Sequence, residues 1–129
     1  MCKGHRAGYA DGYVFKSSGT DVNGAYVNGT AAMSASFANG QITGSMTKMT
    51  YGNGGTWNDV SLNASIAAGS NRFSGTAAAA SAPGTPFSLA GTATGHIDGA
   101  FYGPAAQNIG AIWSLSDGSG SAIGTLWGK

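Results

Sequence analysis

Apolar residues recur at every second position through much of this chain. Ala31, Met33, Ala35 and Phe37 share one phase, and Ser34 and Ser36 share the other. Val60, Leu62, Ala64 and Ile66 alternate with Ser61, Asn63 and Ser65, and the pattern returns at Phe73, Gly75, Ala77 and Ala79 and at Ile109, Ala111, Trp113 and Leu115. A period of two places one apolar face on each strand, which belongs to antiparallel sheets with one wet side. No helical period lasts longer than a turn. Turn-forming pairs punctuate the chain at Asp11-Gly12, Asn23-Gly24, Asn28-Gly29, Asn39-Gly40, Asn53-Gly54, Asp98-Gly99 and Asp117-Gly118. Such pairs suit hairpin tips, and those inside alternating stretches mark bulges or corners. The pattern predicts about eight strands, at residues 8–16, 26–38, 41–49, 59–67, 72–80, 87–97, 109–115 and 122–127. Short loops between them, and small Gly and Ala beside large Trp, Phe and Met on the inner faces, predict an all-β fold, an antiparallel up-and-down β-barrel with a filled core.

One stretch breaks the alternation. In GAFYGPAAQNIGAIW, residues 99–113, a Gly-Pro step separates two apolar runs. Proline removes a backbone donor and suits neither a helix interior nor a central strand, so the stretch reads as a corner between strands. Phe101 is expected to plug the core and Pro104 to stiffen the exit, with residues 105–108 forming one helical turn.

Composition narrows the function. The chain has 129 residues, room for a single barrel domain over 1–129, with residues 1–6 expected as a flexible end. Charged residues are only 9%, there is no Glu, and the net charge is +1, so nothing predicts a nucleic-acid surface. Three Trp, five Tyr and five Phe supply enough apolar surface for a packed core. The single cysteine, Cys2, excludes an internal disulfide, and His5 and His96 lack zinc-ligand spacing, so no metal is expected. No apolar run approaches the roughly 20 residues of a membrane helix. The outward strand positions read Ser, Thr and Asn, against a membrane-spanning barrel. The first twenty residues carry no secretory h-region. Scarce charge together with abundant Gly, Ser, Thr and Asn is common in exported bacterial surface proteins, so a cell-surface or secreted, outer-membrane-associated protein is expected. Cys2 follows Met1 directly, without the small apolar box of a lipidation site; a lipid anchor is reserved for a full-length precursor, and here the thiol is read as incidental.

Candidate chemistry is sparse. Asp11, Asp98 and Asp117 each precede Gly, where turn-forming Asp belongs, and no Asp has a partner carboxylate or His at a suggestive spacing. No enzyme is expected. Tyr and Trp are enriched in binding hot spots, and Tyr51 and Trp57 flank the loop YGNGGTW, the expected exposed contact, with Tyr102 as a further protein-binding candidate. Trp113 and Trp127 are expected to pack in the core.

Four fragments carry a family likeness. GHIDGAFYGPAAQNIGAIW, with its strand ending in Gly-x-Phe-Tyr-Gly-Pro, resembles the signature of the transferrin-binding-protein-B-like β-barrel domain. ASFANGQITGSM resembles that family's hairpin, NRFSGTA its Phe-Ser-Gly strand and AIGTLWGK its closing strand, so the likeness covers about residues 27–129. Members usually carry an acid in the turn and paired glycines after it; here Asn108 and Gly110-Ala111 stand there, without the acid's salt bridge. The resemblance implies a non-enzymatic binding or scaffold barrel of a bacterial surface lipoprotein that captures a host or environmental iron- or haem-carrying protein, often beside a separate handle domain. It also implies an alternative, a haem or small-ligand carrier with His96 as the candidate ligand; no other cofactor is expected.

Overall fold

The computed structural model describes residues 3–18, 20–52, 54–103 and 107–129, with backbone alone for 3–6 and 18. The described residues form nine strands: β1 (Lys3–Ser18), β2 (Asp21–Ser36), β3 (Gln41–Tyr51), β4 (Gly55–Thr56), β5 (Val60–Ile66), β6 (Arg72–Ala79), β7 (Thr94–Tyr102), β8 (Asn108–Ser116) and β9 (Gly120–Gly128). The sheet runs β2-β1-β9-β8-β7-β6-β5-β3-β4, and a further β2–β3 pairing closes it. Every pairing is antiparallel. Eight strands thus form a closed up-and-down barrel, as the alternation predicts, and two-residue β4 only folds back on the end of β3.

The interior is filled. Trp57 and Trp113 sit at its centre with ring centroids 6.0 Å apart, among Val14, Val27, Ile42, Met46, Met49, Val60, Ile97 and Leu126. Small inward residues let the strands approach closely. On the β1–β9 seam Gly8 pairs with Gly128 and Gly12 with Gly124, and a Cβ on Gly12 or Gly124 would overlap the carbonyl oxygens of Ile123 and Asp11. Asp11-Gly12, Asn23-Gly24, Asn28-Gly29 and Asp98-Gly99 therefore lie inside strands rather than at hairpin tips.

Both ends are closed by side chains. At one end Phe101 plugs the core as expected, with Phe73 at 5.5 Å and Phe37 at 5.1 Å. Asn71 ties the β5–β6 turn to this corner, its backbone oxygen accepting from Phe101 N and its Nδ2 donating to Phe101 O at 2.7 Å. Pro104 and residues 105 and 106 of the expected helical turn lie outside the described residues; Asn108 begins β8.

The other end is closed by residues 80–93, where the sequence reading placed the start of a strand. Leu89 is buried there and Phe87 packs on the core. Their alternation imitates a strand, but Pro83 and Pro86 remove ladder donors and the segment caps the barrel instead. Asn58, fully buried, holds it: Nδ2 donates to Ser81 O (2.6 Å) and Leu89 O (2.8 Å), and Oδ1 accepts from Leu89 N (2.7 Å). Trp57 Nε1 donates to Phe87 O at 2.9 Å, and Lys16 Nζ to Ser88 O at 2.9 Å.

Other boundaries also differ, and β7 runs on to Tyr102 rather than ending at residue 97. β1 begins at Lys3, so the end expected to be flexible is strand from that residue, and β2 begins at Asp21 rather than residue 26.

Candidate protein-interaction surface

A barrel wall has two faces, and β1 is apolar on both. Ala10, Gly12 and Val14 point inward, which leaves Tyr9, Tyr13 and Phe15 outward at 60%, 54% and 45% exposure. The register extends this stripe sideways. Tyr26, Tyr13 and Ile123 lie in one row across β2, β1 and β9. Asn28, Asp11, Thr125 and Ile112 form the next row, and Thr30, Tyr9, Trp127 and Gly110 the one after. The Tyr102 ring lies over Gly110, so a shallow groove runs between Tyr102 and Trp127. Ring contacts stitch the wall together, with Tyr9 and Trp127 at 5.9 Å, Tyr13 and Tyr26 at 5.5 Å, and Tyr13 and Phe15 at 6.4 Å.

Asp98 continues the middle row beside Ile112 and lines the groove, and Asp11, in the middle of the wall, is held by hydrogen bonds. Thr125 Oγ1 donates to its Oδ1 at 2.7 Å and Tyr26 OH to its Oδ2 at 3.1 Å. The Tyr26 hydroxyl is raised above its ordinary value, first by desolvation and then by the bond to Asp11.

The opposite wall is different. Gln41, Thr43, Ser61, Asn63, Ser65, Ser74 and Thr76 face outward from β3, β5 and β6. The apolar surface covers one side and does not encircle the barrel as a lipid-facing band would. The expectation of Ser, Thr and Asn outward holds on this side and fails on the β1–β9–β8 side.

The candidate residues separate accordingly. Tyr102 stands on the aromatic wall at 55% exposure. Tyr51 is half-buried against Phe87, rings 5.2 Å apart, and belongs to the cap. Trp57, expected at an exposed loop, is fully buried, a correction explained by the indole bond that anchors the cap. Trp127, expected in the core, is 48% exposed, because Leu126 takes the inward phase of β9. His96 is exposed on the outside of β7, where its backbone N–H meets Ser114 Oγ at 3.4 Å. A ligand on this imidazole would lie on the outer wall, not within the packed interior. Cys2 lies outside the described residues. Among the described residues no group of three or more His, Cys, Asp or Glu could hold a metal ion, and no helix is long and apolar enough to cross a membrane.

Sequence reasoning missed Tyr9, Tyr13, Phe15 and Tyr26. The signal was present as large residues alternating with small ones on β1, but their facing depends on how much room the narrow interior leaves.

A family profile described as the C-lobe and N-lobe beta barrels of Tf-binding protein B matches residues 2–129. The chain belongs to this family. The chain is also similar to solved structures, at identities that speak to the fold. One is transferrin binding protein B from serogroup B Neisseria meningitidis, at 20% identity and TM-score 0.66, over 100% of this chain and 25% of that one. Another is a double mutant of transferrin binding protein B from Haemophilus parasuis, at 20% identity and TM-score 0.68, over 98% of this chain and 25% of that one. A third is the N-lobe domain of lactoferrin binding protein B of Moraxella bovis, at 18% identity and TM-score 0.60, over 98% and 59% respectively. The barrel thus spans about a quarter of the two transferrin binding proteins. No curated protein sequence matches it.

Proposed function

We propose that this barrel is a non-enzymatic binding module, displayed on a cell surface, that docks an iron-carrying protein of the transferrin or lactoferrin type through its aromatic outer wall. Membership of a family named for transferrin-binding barrels supports a binding role. The observation that carries the site is the exposed wall of Tyr9, Tyr13, Phe15, Tyr26, Tyr102, Ile112, Ile123 and Trp127. At about half exposure, eight such side chains present on the order of 800 Å², taking about 200 Å² for a large aromatic. That exceeds the roughly 300–600 Å² of the largest patch on an ordinary monomer and matches one side of a standard interface. Tyr and Trp also lose little rotamer entropy when they dock.

The test is titration of the purified barrel with an iron-loaded transferrin, comparing wild type with a Tyr9→Ser/Trp127→Ser double variant. Removing two central anchors should weaken binding at least about 30-fold, or ~2 kcal/mol, while the thermal midpoint stays within a few degrees. Equal affinity of the two proteins would place the contact elsewhere.

A further inference from the structure

Asp11 stands at the centre of the wall that the proposed docking covers. Eight positions surround it on the outer face, as the pairing of β1 with β2 and β9 sets them. Five are aromatic or aliphatic (Tyr9, Tyr13, Tyr26, Ile123 and Trp127), the other three are Asn28, Thr30 and Thr125, and none is basic. Bases stand only at the margins of this side among the described side chains. Lys129 is four residues beyond Thr125, and Arg72 lies four strands from β1, diagonal to Asp98. Asp98 therefore has a positive charge of its own chain next to it on the sheet, and Asp11 has none.

The carboxylate is also held in place. Thr125 Oγ1 donates to Oδ1 at 2.7 Å and Tyr26 OH to Oδ2 at 3.1 Å. A carboxylate offers about four lone-pair sites, so each oxygen keeps accepting capacity after these bonds, and one hydroxyl on each fixes its orientation. Rings stand on both sides of it. Tyr9 and Tyr13 are each two residues away along β1, about 7 Å. Each belongs to a ring pair, Tyr9 with Trp127 at 5.9 Å and Tyr13 with Tyr26 at 5.5 Å.

We infer that Asp11 receives an arginine side chain of the docked protein, its guanidinium on the carboxylate and between the two ring pairs. The inference rests on the docking reading. A protein that covers the wall strips water from Asp11, and a carboxylate buried without a counter-charge is strongly unfavourable. A partner that fits must bring a positive charge to this point, and one that brings none is rejected. A hard metal ion does not meet the need, because it wants about six oxygen ligands and rings occupy most of the surrounding positions. A lysine supplies the charge as a point donor only. A guanidinium is planar, donates to both carboxylate oxygens at once and stacks on aromatic rings, so it uses every feature of the site.

The experiment has two arms. In the first, the affinity for iron-loaded transferrin is compared among wild type, Asp11→Asn and Asp21→Asn. Asp11→Asn keeps the shape of the side chain but leaves the partner's charge buried and unpaired, so binding should weaken at least about tenfold. Asp21→Asn removes the same charge at the tip of the β1–β2 hairpin, where only screened, long-range attraction is lost, and should change affinity less than about threefold. In the second arm, amide NMR spectra of the 129-residue chain are followed as N-acetyl-arginine methylamide is added to about 100 mM. The Asp11, Thr125 and Tyr26 signals should shift and saturate in wild type, and stay in place in Asp11→Asn. The citrulline analogue, of the same shape without the charge, should shift none of them, and the lysine analogue should bind at least about threefold more weakly.

Equal transferrin binding by wild type and Asp11→Asn, or an equal loss in Asp21→Asn, would overturn the inference. So would the absence of arginine-induced shifts at these residues, or their reproduction by the citrulline or lysine analogue. Arginine-dependent shifts in a wild-type chain that binds no transferrin would sink the docking reading and support Asp11 as an arginine site, so either claim can fail alone.

Discussion

Replacing Asn58 by alanine should loosen the cap and lower the stability of the whole barrel. The side chain makes three hydrogen bonds in a fully buried site, two donated and one accepted. Alanine leaves the Ser81 and Leu89 carbonyls and the Leu89 N–H without partners. A buried group stranded in this way costs about 1–3 kcal/mol. Ser81 is only partly buried, so water recovers part of its share, and the sum is about 3–5 kcal/mol. For a chain of this length, about 4 °C of midpoint per kcal/mol gives a fall of roughly 12–20 °C. Thermal unfolding followed by circular dichroism measures it, and tryptophan emission should shift to the red as Trp57 loses its cover. Asn58→Asp sharpens the test. It keeps an acceptor for Leu89 N–H but replaces the twice-donating Nδ2 with one oxygen facing two carbonyls, so it should destabilise at least as much at neutral pH. A midpoint for Asn58→Ala within about 3 °C of wild type would show that the cap is held by apolar packing and refute the hydrogen-bond account.

Three further outcomes follow from the structure. Lys48 has φ 54°, at the register shift where β2 and β3 change pairing between Asn28 and Thr30; glycine tolerates that backbone, so Lys48→Gly should raise stability by about 1 kcal/mol in urea unfolding. Asp117 accepts from Ala90 N, Ser119 N, Ser119 Oγ and Gly120 N; desolvation raises its carboxyl, but these bonds outweigh it and bring it down to about 2 from 3.8. Its contribution is therefore fully present above about pH 4 and lost as pH falls through 2; discounted for partial exposure it is about 1 kcal/mol, so Asp117→Asn should destabilise by that amount at pH 7 and by much less at pH 2. His96→Ala should leave the thermal midpoint within about 2 °C, because an exposed imidazole on the outer wall supports no core contact.

Much of the barrel was legible because alternation, small inward residues and the Asn39-Gly40 hairpin turn all point the same way. Ile109 to Leu115 kept their phase, and Phe101 sat where a corner needs a plug. Residues 87–93 misled for a local reason: Phe87 and Leu89 alternate like a strand while serving as the underside of a cap. The aromatic wall was harder to see. On β1 both phases are apolar, and only the volume left by Trp57 and Trp113 decides that Ala10, Gly12 and Val14 go in and Tyr9, Tyr13 and Phe15 go out. Trp57 shows the converse, an indole beside a glycine-rich loop that turns inward because Phe87 O, from a segment 30 residues away, accepts its N–H.

The most direct test of the docking wall is tyrosine-selective labelling, read by mass spectrometry, of the barrel alone and bound to an iron-loaded transferrin. Of the five tyrosines, Tyr9, Tyr13, Tyr26 and Tyr102 stand on the wall and Tyr51 in the cap. The account predicts that the wall tyrosines label readily in the free protein and become protected in the complex, with Tyr51 unchanged. Protection of Tyr51 alone, or labelling of all five unaltered by the bound protein, would contradict it.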